Sequence, residues 1–113
     1  RMLDATYEVP FLAHTPMEPF NVTAAISGEW LELWAPTQAQ DRLVSRVVRD
    51  TGWDRARIRL HTMQPGGAYG RRLHEGIASS AVTVARALGR PVKLFWDRAS
   101  EIGQGWYRPA QVA

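Results

Sequence analysis

The chain has 113 residues, 45% of them apolar, no cysteine and a formal net charge of +3. That length holds one domain at most, with one modest core, and the ordinary apolar content excludes disorder of the whole chain. The lack of cysteine excludes disulfides, zinc–thiolate centres and cysteine-ligated iron–sulfur clusters within these residues, no apolar run reaches the roughly 20 residues of a membrane helix, and so small a charge does not point to nucleic acid.

Met2 to Val9 reads as a first strand with Tyr7 and Val9 on one face, stopped by Pro10, which has no N–H for a ladder. Phe11 to Phe20 reads as a loop punctuated by Pro16 and Pro19. Asn21–Ile26 and Glu29–Trp34 predict a hairpin around Ser27-Gly28. In the second arm Trp30, Glu32 and Trp34 alternate with Leu31 and Leu33, so both faces carry large apolar groups and the strand is expected to be covered on both sides.

Pro36 breaks that strand. Thr37-Gln38-Ala39-Gln40 fits a capping box, Thr37 as N-cap and Gln40 reaching back, ahead of a helix to Thr51. Leu43, Val44, Val47 and Val48 form its apolar stripe, and Gly52 is a stop. Arg57 to Met63 predicts a strand with Ile58 and Leu60 inward; Gly76 to Leu88 predicts a second helix, with Ile77, Ala81, Val84, Ala85 and Leu88 on one face. Gly89 and Pro91 close it, Val92 to Trp96 is the last strand, and Arg98 to Gln104 forms a short helical turn. The tail Trp106 to Ala113 finds no partner within the chain. The elements predict an α+β domain spanning 1–113, two helices packed on one face of a small mixed sheet.

The most informative stretch is Gln64-Pro65-Gly66-Gly67-Ala68-Tyr69-Gly70-Arg71-Arg72, between the Arg57–Met63 strand and the second helix. Glycines let backbone turn tightly and approach a ligand, and amides before a helix can face an anion or an oxo group. The stretch matches neither the Walker pattern, for want of Gly-Lys-Ser/Thr, nor Gly-x-Gly-x-x-Gly. A tight connection with solvated arginines and a ligand-facing loop both fit these residues. Other chemistry is poorly served. No serine sits in a nucleophile elbow. His61 and His74 read as surface or satisfied core residues, and His14 as a loop hydrogen-bonding group. Asp4, Glu8 and Glu18 lack the spacing of a metal site or an acid–base pair. Gln38 offers a neutral amide that can hydrogen-bond an oxo group without imposing charge.

Taken together, Tyr7-Glu8-Val9-Pro10-Phe11-Leu12-Ala13-His14-Thr15-Pro16-Met17-Glu18-Pro19, Trp34-Ala35-Pro36-Thr37-Gln38, Gly66-Gly67-Ala68-Tyr69-Gly70-Arg71-Arg72-Leu73, Gly89-Arg90-Pro91-Val92-Lys93 and Tyr107-Arg108-Pro109 resemble the large subunit of the molybdenum hydroxylases. This is the xanthine dehydrogenase and aldehyde oxidase family, and the chain looks like its isoquinoline 1-oxidoreductase beta subunit branch. The resemblance implies a segment of the molybdopterin-binding region of a longer subunit. It places Gln38 beside the apical oxygen of molybdenum and makes Gly67, Ala68, Tyr69, Gly70 and Arg71 cofactor-binding, with no catalytic residue in this chain. Ala68 and Tyr69 depart from the family's Gly-Gly-Gly-Phe-Gly loop. The implied cofactor is molybdopterin cytosine dinucleotide, bound by the full-length protein and not by this chain alone. The implied reaction is hydroxylation of an N-heterocycle or oxidation of an aldehyde. The implied partners are the rest of the large subunit, a 2Fe–2S small subunit or domain and a small-molecule substrate, with no membrane span and no nucleic acid. The compartment, cytoplasmic or periplasmic, stays open. A small module binding an anion or nucleic acid through Arg71 and Arg72, and a structural assembly segment, are the alternatives.

Overall fold

The structure, a computed structural model, describes residues 2–74 and 76–113. In chain order the elements are strands β1 (Glu8–Val9), β2 (Leu12–Ala13), β3 (Asn21–Ser27) and β4 (Trp30–Ala35), helix α1 (Gln40–Thr51), strand β5 (Ile58–Thr62), helix α2 (Gly76–Leu88), strand β6 (Val92–Phe95), helix α3 (Arg98–Gly103), and strands β7 (Tyr107–Arg108) and β8 (Gln111–Val112). Short 3₁₀ turns lie at Arg55–Arg57 and Arg71–Leu73.

The central sheet has the order β5-β4-β3-β6. Ser27 pairs with Trp30 across a two-residue turn in which Gly28 takes φ 57°, the positive angle such hairpins favour. β6 joins β3 antiparallel, whereas β5 runs parallel to β4 because α1 carries the chain back between them. The α+β class, with α1 and α2 on one face of a mixed sheet, is as the periodicity predicts.

Alternation explains the core. Val22 and Ala24 of β3 and Leu31, Leu33 and Ala35 of β4 point to the helices and are buried. Leu43 and Val47 of α1 and Ile77, Ala81 and Val82 of α2 meet them. Each fully buried leucine or isoleucine contributes about 1.5–3 kcal/mol. α1 ends at Gly52, in the left-handed region at φ 69°, its N–H donating to the Val48 carbonyl. Val48 and Val84 lie half-buried and Leu88 is exposed, so both apolar stripes are narrower than the sequence suggests.

Several expectations need correction. No capping box forms: the N-cap is Ala39, without a side-chain cap, and Thr37 Oγ1 instead accepts from the Ala39 N–H at 3.0 Å. β4 is covered by helices on one side only. On its other side Trp30 and Trp34 are half-buried beneath polar side chains, with Arg59 4.1 Å from the Trp30 ring and His61 stacked on Trp34 at 4.8 Å.

The tail does find partners. β7 pairs with β2 and β8 with β1, both antiparallel, so part of the predicted Phe11–Phe20 loop is strand. The predicted first strand shrinks to Glu8–Val9, since this ladder closes with Tyr7 and Ala113 exchanging hydrogen bonds of 2.8 and 2.9 Å. The two ribbons extend the molecule to 70 × 28 × 22 Å. Its radius of gyration is 17.6 Å, against about 13 Å for a compact chain of this length. Tyr7, Phe11, Trp106 and Tyr107 stay exposed along this arm. No helix among the described residues is long and apolar enough to cross a membrane.

Candidate functional site

The glycine loop is built on Glu18 and Arg72. Between Pro16 and Pro19 the chain is pre-set, and it lies along the loop: the Glu18 N–H donates to the Gly66 carbonyl at 2.9 Å, and the Gly66 N–H returns to Glu18 Oε2 at 2.8 Å. Arg72 enters from the other side with 1% of its surface exposed. Its Nη2 donates to Glu18 Oε2 at 2.8 Å and to the Glu18 carbonyl at 2.9 Å, and its Nε donates to the Gly67 carbonyl at 2.9 Å. Its Nη1 reaches the Pro36 carbonyl at 3.4 Å. One planar guanidinium thus ties together three segments distant in sequence, a use that suits arginine better than lysine. The sequence offers Arg72 as an anion clamp and not as a tie, and Glu18 does not stand out in it as a site residue. Their pairing spans 54 positions, and only the flanking prolines hint that Glu18 is fixed.

That tie brings Gln38 to the loop. Gln38 precedes α1 rather than lying in its first turn, and its backbone N–H donates to the Arg72 carbonyl at 3.3 Å. Its side chain is exposed and meets no hydrogen-bond partner among the described residues.

Four consecutive amides, Gly67 to Gly70, donate to no acceptor among the described residues. Gly67 and Gly70 take φ of 95° and 90°, conformations suited to glycine. Ala68 stays out of the left-handed region, so its side chain is no obstacle. Tyr69 carries the strain instead, with φ 52°, and is 63% exposed, its carbonyl accepting from Arg108 Nη2 at 2.6 Å. Tyr69→Val is therefore expected to destabilise the fold by about 1–2 kcal/mol, and Tyr69→Gly to cost nothing or stabilise it slightly. Urea unfolding of both variants checks this; equal stability of Tyr and Val would show the angle is not held.

Arg71 and Arg72 are not solvated clamps. Arg71 is 4% exposed, its guanidinium 4.7 Å from the Phe20 ring and 5.7 Å from that of Trp96. Burial lowers its pKa below the usual arginine range, Glu101 working against that shift and Arg72 adding to it. His14 hydrogen-bonds the Trp106 carbonyl through Nδ1 at 2.9 Å, and Gly70 faces the same ring. His74 stacks on Trp106 at 4.9 Å. Burial, then the Arg71, Arg42 and His14 neighbours, hold His74 below its ordinary value of 6.5. His61 binds Glu32 on the open sheet face, away from the loop.

Burial pushes the Glu18 carboxyl up, but the Gly66 amide, the Asn21 amide and the Arg72 and Lys93 charges outweigh it, so its pKa falls below 4.5. A carboxylate depressed in the fold contributes stability that is present above its unfolded value and is lost as pH falls through the folded one. Stability should therefore drop as pH goes below 4.5, and Glu18→Gln should start lower at neutral pH and flatten that acid slope. Urea midpoints across the acid range decide it; an unchanged slope in the variant would remove Glu18 from this role.

The described residues gather no group of three His, Cys, Asp or Glu. What the site offers is hydrogen-bond donation: four backbone amides and one neutral side-chain amide on a braced surface. These groups fit an uncharged or anionic oxygen-rich ligand.

A family model described as molybdopterin cofactor-binding domain matches residues 1–112. The chain is 32% identical over 111 residues to the aldehyde oxidoreductase molybdenum-binding subunit PaoC of Escherichia coli, covering 97% of this chain and 15% of that protein. It is 28% identical over 96 residues to the beta subunit of isoquinoline 1-oxidoreductase of Brevundimonas diminuta, 84% of this chain and 12% of that protein. Among solved structures, quinoline 2-oxidoreductase from Pseudomonas putida superimposes with a TM-score of 0.74 at 25% identity, over 83% of this chain and 12% of that one. CO dehydrogenase from Oligotropha carboxidovorans shares the fold, with a TM-score of 0.80 at 21% identity over 93% of this chain and 13% of its own. The chain thus spans a small fraction of the length of these relatives.

Proposed function

The chain belongs to the molybdopterin cofactor-binding domain family, and from that premise we propose that Gln38 and the Gly67–Gly70 amides form one wall of the cofactor site in a larger hydroxylase subunit. The observation that carries this reading is the Gln38 N–H···O=C Arg72 hydrogen bond of 3.3 Å, which joins the Gln38 segment to the loop whose Gly67–Gly70 amides donate to no acceptor among the described residues. When bound, molybdopterin cytosine dinucleotide would supply the redox-active metal for hydroxylating an N-heterocycle or oxidising an aldehyde. The chain's own contribution is donation and positioning: the Tyr69 and Gly70 backbone amides present fixed donors, the exposed Gln38 side chain adds a neutral amide that can turn toward the ligand, and Arg72 holds the two segments in register. Such pre-set donors act without reorganising. Glu18 is engaged by Arg72 and Gly66 and is not free to act as the general base, a role this reading assigns to a residue elsewhere in the full-length protein. The rest of that protein would complete the pocket, and a 2Fe–2S partner would carry electrons away.

Two measurements test this. The purified chain alone is expected to hold no stoichiometric molybdenum by elemental analysis; one molybdenum per chain would show that it needs no further wall. In the full-length protein with its partner, Gly70→Ala should lower molybdenum content several-fold, because φ is 90° there. Gln38→Ala should keep the metal but reduce kcat by about 100-fold. Full metal content in the first variant and full turnover in the second would end the reading.

A further inference from the structure

We propose that the chain carries a second, anion-selective ligand cleft, between α1 and the Arg71–Leu73 turn, suited to an aromatic carboxylate. The inference does not rest on the cofactor reading. The cleft encloses about 600 Å³, within the range of small-molecule sites. Arg42, Arg46, Arg49 and Arg71 line it, and Phe20, Trp96 and Trp106 supply aromatic walls.

The cations here are not equally engaged. Arg46 and Arg49 share Asp50, which also accepts from Ser79 Oγ at 2.8 Å. Arg42 has no ion pair or hydrogen bond from its side chain among the described residues. Arg71 is the more telling. It is 4% exposed, its Nε is fully buried without an acceptor, and no described residue accepts from its guanidinium. Glu101 favours its charge, but that carboxylate accepts from Arg98 Nη1 at 2.7 Å and forms no ion pair with Arg71. Among the described residues, the four guanidinium groups lining the cleft outnumber the carboxylates that act on them, Asp50 and Glu101.

The depth of Arg71 selects the ligand. With 4% of its surface exposed, Arg71 is out of reach of a flat macromolecular face, and it lends the cleft wall its positive charge rather than an open pair of donors. A carboxylate matches a guanidinium fork with two parallel bonds. Trp96 and the His74–Trp106 stack offer flat surfaces that a planar ring covers better than phosphate does.

The test titrates the chain with benzoate, the neutral isostere benzamide and inorganic phosphate, following tryptophan fluorescence and thermal unfolding. Benzoate is expected to bind with a Kd of about 1 mM or tighter, and benzamide about ten-fold more weakly, because it cannot form charge-assisted bonds. Arg42→Ala should weaken benzoate about five-fold with the circular dichroism spectrum unchanged. Arg71→Gln should weaken it more, and because that side chain is buried, Arg42 keeps the test decisive if the second variant misfolds. Benzoate failing to bind, benzamide binding equally well, phosphate binding more tightly than benzoate, or Arg42→Ala having no effect would each overturn the proposal. None of these outcomes depends on molybdenum, so the cleft and the cofactor wall stand or fall separately.

Discussion

Arg72→Ala is expected to remove about 3–5 kcal/mol of folding stability. The side chain is 1% exposed and donates to Glu18 Oε2 and to the carbonyls of Glu18, Gly67 and Pro36. Alanine leaves the half-buried Glu18 without its partner and three carbonyls without this donor, and the penalty for unpaired groups exceeds the net worth of the bonds themselves. A chain of this size has about 5–15 kcal/mol in total, so the variant should sit near its limit. Urea unfolding measures the loss, and hydrogen exchange at the Gly66 amide reports whether the loop has come free. Arg72→Lys should recover part of it, keeping the charge but not the fork. A loss under about 1 kcal/mol would mean that the tie is a surface-grade ion pair. The consequence for the proposed function follows directly, because this side chain holds the Pro36 and Gly67 segments at a fixed spacing.

Leu33→Ala is expected to cost about 3 kcal/mol, within the range for emptying a well-packed leucine site. Leu33 is fully buried at the centre of β4, whose neighbours β3 and β5 and the overlying helices leave little room to collapse. Trp34, one residue on, faces the other side and is half-buried against His61. Trp34→Ala should cost markedly less, about 1 kcal/mol, despite the larger side chain, since water already reaches the site. Chemical denaturation of the two variants side by side tests the one-sided burial of this strand. Equal losses would mean that the tryptophan face is covered in solution.

Trp34 also shows where a sequence pattern is ambiguous. Alternating leucine and tryptophan fits a strand buried on both faces, but the tryptophans here stay half-buried under Arg59 and His61, whose own polar ends remain at the surface. The tail teaches the complementary lesson. Tyr107–Arg108 and Gln111–Val112 are two-residue strands, too short for any periodicity to register, and their partners lie at the opposite end of the chain. The capping motif failed for a third reason. Thr37 is drawn into the turn that lets Gln38 reach the Arg72 carbonyl, and that contact displaces the local cap.

By itself the sequence determined what short-range physics controls. The β3–β4 hairpin, α1 ending at Gly52, the full extent of α2 and the exposed glycine loop each follow from side-chain period, proline and glycine acting over a few residues. The motifs around Gln38 and Gly66–Arg72 also carried the family, which the match over residues 1–112 shows. Only the tertiary structure decided that Arg72 is a buried tie rather than an anion clamp, that Glu18 is its partner, that Gln38 meets the loop and that the tail folds back on the N-terminal strands. Each of these joins residues 34 or more positions apart, and no local preference records which distant carbonyl a buried guanidinium will find. That choice is made by packing, where every buried donor must meet an acceptor in the one arrangement that also fills the core.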